Sequence, residues 1–142
     1  MAIDLYWDDE QQTVMLAEFN GKWTWDELHT VLKTIKRISQ ERNQVFGAII
    51  DVRDGLQVPG GALFSRETLN NFRKLMTLSD DGRQGPVVVL GVSGMIKTVF
   101  DAVKNFDAQA VQNVSFAQEM DDARRIIYTE MAKLNGRSSA SA

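Results

Sequence analysis

Asp51, Arg53 and Asp54 gather three charges directly behind the short apolar run Phe46 to Asp51. Charge at the C-terminal end of a parallel strand is where open α/β sheets carry their ligand sites, so these residues head the list of candidate contacts. A purely local role competes with that one, in which Asp51 caps a neighbouring element or pairs with Arg53 inside the loop. Pro59, Gly60 and Gly61 follow in the same loop. Paired glycines before a helix let backbone N–H groups approach an anion, but the lysine and the spacing of a phosphate loop are missing. Ser93 and Gly94 break the next apolar run and again precede a helical pattern, which brings a second loop to the same end of the sheet. Ser93 also suits a simple helix cap.

Other chemistries find fewer residues to carry them. A serine nucleophile needs a base within hydrogen-bond reach, and the single histidine, His29, falls in the first helical segment. With no cysteine and one histidine, neither a thiolate nucleophile nor a zinc cluster can be assembled. The acidic runs Asp8-Asp9-Glu10, Asp80-Asp81 and Asp121-Asp122 sit in turns or at a helix start and read as solvated charge. Trp23 and Trp25 flank Thr24; tryptophans are common in binding hot spots, but beside a helix start they more often form a hydrophobic staple. No enzyme, cofactor or metal is therefore expected.

The net charge of −3 supplies no basic field for a phosphate backbone, so nucleic acid is not expected as a partner. Lys33, Lys36 and Arg37 cluster near a helix C-terminus, where the dipole favours cations in any case. No run approaches the roughly 20 apolar residues of a membrane span, and Met1-Ala2-Ile3-Asp4 lacks the features of a signal peptide, which predicts a cytoplasmic protein without a transmembrane segment.

The positioning elements follow from periodicity. Ile3 to Trp7 and Thr13 to Phe19 read as a hairpin around the polar turn Asp8 to Gln11. Thr24 and Glu27 have capping-box spacing, so a helix starts near Trp25 and presents Leu28, Val31, Leu32, Ile35 and Ile38 on one face. Phe46 to Asp51 is a strand covered on both faces. A helical stripe follows at Phe64, Leu69, Phe72, Leu75 and Met76; Val87 to Val92 is a central strand; Ile96, Val99, Phe100 and Val103 mark a third helix. Val114 to Phe116 is a short fifth strand, and Ala123, Ile126, Ile127, Met131 and Leu134 line a last helix that Gly136 ends. Residues 1–136 thus form a single α/β domain of about five strands and four helices, and 137–142 a disordered tail.

That order raises a question of cover. If consecutive strands are neighbours, right-handed crossovers place the connecting helices on one sheet face and leave the other bare. Both central strands are apolar on both faces, so a reversal of strand order, the terminal helix or a second subunit must cover the rest. A homodimer is one of these solutions.

The hairpin, the segment Gly21 to Leu28 opening the first helix, the strands Phe46 to Asp51 and Val87 to Val92, and the stretch Phe116 to Ala123 together resemble the SpoIIAA-like fold family, which includes STAS domains and STAS/SEC14-type bacterial proteins. The resemblance spans most of the chain. It implies a non-enzymatic regulatory or interaction module that binds a protein partner through the loops after the third and fourth strands. The alternative it implies is a carrier of a small apolar or anionic ligand. In the sigma-factor-regulating branch a serine or threonine after the third strand is phosphorylated. Here the loop Leu56 to Ala62 holds no hydroxyl, and the nearest, Ser65, lies about a turn further on. The resemblance therefore implies a contact surface at Asp51, Arg53, Asp54, Pro59, Gly60, Gly61, Ser93 and Gly94, without the phosphorylation switch.

Overall fold

A computed structural model describes residues 2–53, 70, 85–91, 97, 98, 101, 104, 105 and 114–140. They form a five-stranded mixed sheet and two long helices, an α/β arrangement. The strands are β1 (Ile3–Trp7), β2 (Val14–Phe19), β3 (Gly47–Asp51), β4 (Val87–Leu90) and β5 (Val114–Ala117), and they lie in the sheet in chain order. β1 and β2 pair antiparallel as a hairpin, and β2 through β5 run parallel. The C-terminal ends of β2 to β5 therefore share one edge, where Glu18, Asp51, Leu90 and Ala117 stand side by side in register.

The helix α1 (Trp25–Arg42) begins where the capping box places it, with Thr24 Oγ1 accepting from the Glu27 N–H at 3.1 Å. Loss of such a cap costs about 1 kcal/mol. Asn43, in the left-handed region at φ 50°, closes the other end, its N–H turned back to the Gln40 and Ser39 carbonyls. Trp23 precedes the cap and Leu28 lies one turn in; both belong to the same buried cluster, so the staple role holds for Trp23. Its ring packs edge-on against Phe19 and Trp25.

The helix α2 (Met120–Ala140) carries the acidic first turn expected from Asp121 and Asp122. It does not stop at Gly136. A single glycine costs a helix only about 1 kcal/mol relative to alanine, too little to end one by itself.

Alternation along the strands sends residues to two separate cores. Val14, Ile49, Val88, Leu90 and Ala117 face α2 and pack with Ala123, Ile127 and Met131. Ile3, Ala17 and Phe19 face the opposite side, with Trp23, Leu28 and Val31 of the α1 segment. The strand order is not reversed; the terminal helix takes the face that α1 leaves, one of the three solutions open to the sequence. Gly47 allows α2 to come close, because a Cβ there would stand 2.9 Å from Ile127 Cγ1. The stripes expected for the second and third helices lie outside the described residues; within those segments Asn70, Lys97, Thr98, Asp101, Lys104 and Asn105 are helical. Among the described residues no helix is long and apolar enough to cross a membrane.

Candidate functional site

β3 ends on Asp51 because alternation leaves it on the α2 face beside Leu90, at the point where the apolar run gives way to polar loop. Its residue is only 7% exposed. A carboxylate so placed must be hydrogen-bonded or neutralised. Arg53 supplies the bonds three times over. Its backbone N–H donates to Asp51 Oδ1 at 3.0 Å, its Nε to the same oxygen at 3.1 Å and its Nη2 to Oδ2 at 2.9 Å. Burial raises the Asp51 pKa, but the side-chain and backbone hydrogen bonds and the charge of Arg53 outweigh it and hold the carboxyl below its ordinary range.

Arg53 is held from a second direction. Val52 donates to the Leu90 carbonyl and Gly91 to the Ala117 carbonyl, which draws the ends of β3, β4 and β5 together. Gly91 then passes so close to Arg53 that a Cβ would meet its Cγ at 2.5 Å and its Cα at 2.8 Å, at a φ of +90° that side chains rarely adopt. Glycine is required there on both counts. The Arg53 side chain meanwhile is 46% exposed. It borders a shallow recess of about 440 Å³ lined by Glu18, Phe19, Asn20, Asp51 and Arg53. Asn20 is steadied by its Nδ2 donating to Asp4 Oδ2 at 3.1 Å.

Of the contacts expected from sequence, Asp51 and Arg53 are thus brought together at the parallel-strand edge, in the pairing that competed with a ligand role. Asp54, Pro59, Gly60, Gly61, Ser93 and Gly94 lie outside the described residues. Glu18, Asn20 and Gly91 join the site without having been singled out. Their signal was the end of β2 at Asn20-Gly21 and the end of β4 at Gly91, since parallel neighbours end on the same edge.

A second polar centre lies at the opposite edge and corrects the expectation of solvated charge at Asp8-Asp9. The Asp8 side chain is 3% exposed and receives Arg124 through Nη2 at 3.0 Å and Nε at 3.3 Å. The Tyr128 hydroxyl donates to it at 2.7 Å. Burial first, then the bond to Asp8, raises the Tyr128 pKa and keeps the hydroxyl protonated as a donor. Asp9 accepts from the Thr13 and Val14 N–H groups and from the Thr13 hydroxyl, shaping the turn in which Gln12 adopts φ 57°. These bonds lower its pKa against the opposing effect of burial. Beside them the Arg42 guanidinium lies over the rings of Trp7 and Phe46, 5.3 and 5.5 Å from their centroids. Every partner here belongs to the chain itself, so the cluster fastens the hairpin to α1 and α2.

Among the described residues no three His, Cys, Asp or Glu side chains converge as a metal site. Compared with known proteins, the chain matches no family model, and no curated protein matches it.

Proposed function

We propose that the chain is a non-enzymatic interaction module of the STAS-like kind, acting in the cytoplasm and binding a protein partner at the loop edge that carries Asp51 and Arg53. The observation that carries this reading is the half-exposed side chain of Arg53, its guanidinium anchored by a buried carboxylate beside an open recess. Arginine held in one geometry loses little entropy on binding, and such residues are frequent interface anchors. The leading hairpin and the order of the parallel strands support the family-level part. The carrier reading is the weaker of the two, because this recess is open and mostly polar, whereas carriers of apolar ligands enclose them.

The test uses the full chain as bait in a lysate of the source cell, beside Arg53→Glu and a distant control, Lys133→Ala. A partner retained by wild type and the control and lost with Arg53→Glu is the expected result. Equal capture by Arg53→Glu overturns the assignment.

A further inference from the structure

We infer that the recess beside Arg53 reads a mixed-charge segment of the protein partner, in which a carboxylate lies within a few residues of a lysine or arginine. The inference rests on the interaction-module reading and names the chemistry of its site.

Asp51 takes the Nε and Nη2 side of the guanidinium, and Gly91 leaves room for the arginine stem in that one position. Among the described residues Nη1 makes no hydrogen bond, so toward them the Nη1/Nη2 edge is a planar pair of unspent donors. Two parallel N–H groups of that spacing match the two oxygens of a carboxylate. On the neighbouring strand Glu18 is the register partner of Asp51 and lines the same recess. Among the described residues it makes neither a hydrogen bond nor an ion pair. A carboxylate is an acceptor only, so what it lacks is a donor, and a cationic one gains most.

The balance of charge selects the occupant. Asp51 and Arg53 nearly cancel, and Glu18 and Glu119, whose carboxylates both act on Arg53, leave the surroundings negative, so an isolated anion would approach Arg53 against repulsion. An isolated cation would meet the guanidinium. A segment that brings its carboxylate to the Arg53 edge and its ammonium or guanidinium to Glu18 satisfies both groups and opposes neither. A protein segment also suits the open shape of the recess, because its flanking residues can bury the rim that a small ligand would leave wet.

The experiment selects a phage-displayed random peptide library on the immobilised full chain, and repeats the selection on Arg53→Gln and Glu18→Gln. The wild type is expected to enrich peptides with Asp or Glu near Lys or Arg. Arg53→Gln should lose the acidic preference and bind a wild-type-selected peptide about tenfold more weakly, as expected for one charge-assisted hydrogen-bonding group. Glu18→Gln should lose the basic preference alone. Where Arg53→Gln fails to fold, Arg53→Lys keeps the charge without the fork and should still weaken binding. No enrichment, or peptides that bind both variants as tightly as wild type, overturns the inference. If that happens while Arg53→Glu still releases the cellular partner, the module reading stands and only this chemistry falls; a partner retained by Arg53→Glu removes the module reading itself.

Discussion

Asp8 and Asp51 are the same residue type in nearly the same burial, each paired to an arginine that is about half exposed, at opposite ends of one sheet. What separates them is where the partner comes from. Asp51 is bonded by a residue two positions along, whereas Asp8 is bonded by residues 116 and 120 positions away on the terminal helix. A local pair fixes its own arginine at the end of β3, with the side chain 46% exposed. A remote pair ties the first hairpin to the last helix. The same chemistry is therefore a candidate recognition site at one end and a clasp at the other.

Removing the clasp should have the largest effect. Asp8→Ala leaves the half-buried Tyr128 hydroxyl without its acceptor and Arg124 without its counter-charge, which should cost about 3 kcal/mol, at the low end for a broken buried pair because Arg124 can rehydrate. Urea unfolding followed by circular dichroism measures it; a loss no greater than that of Asp51→Ala would erase the distinction.

Gly91→Ala comes next. The new methyl must displace the Arg53 backbone and adopt an unfavourable φ, for a cost of about 2 kcal/mol. It should also abolish the Arg53 to Asp51 bonds, seen as loss of a protected Arg53 Nε–H signal by NMR. An unshifted signal would mean that the close approach does not hold the arginine.

Asp51→Ala should cost only about 1 kcal/mol, since Arg53 is free to turn into water and no distant element is released. Its larger consequence should be local, a mobile Arg53 and weaker partner binding.

The smallest effect is in pH. The Asp51 pKa is lowered in the folded state, so its contribution to stability is complete above the unfolded value of about 3.9 and is lost as pH falls through the lower folded value. Asp51→Asn should therefore close part of its stability gap to wild type below about pH 4. Asp9 acts in the same direction, so the wild type should still show an acid limb in that variant. Melting temperatures at a series of pH values check it; a gap that stays constant down to pH 2 would mean that the Asp51 carboxylate contributes nothing to folding.

Much of the framework was legible in the chain. Period-two alternation marked β1 and β2, and the Thr24 to Glu27 spacing marked the start of α1, because these signals come from neighbours along the backbone. Asp51 and Arg53 were legible as a pair for the same reason: they are two residues apart. Asp8 was misjudged because a turn full of acids resembles solvated charge until something distant buries it. Glu18 and Gly91 were passed over because their importance lies in what stands beside them on the next strand.

By itself, then, the sequence determined the five strands, the capped start of α1, the apolar stripes of α1 and α2 and the charged end of β3, all of which depend on contacts within a few residues. Only the tertiary structure decided that the strands follow chain order, that the terminal helix covers the second face, and that one buried aspartate is a clasp and the other an anchor. Those outcomes depend on which distant groups meet, and a linear pattern carries the faces of each element but not the partner that each face finds.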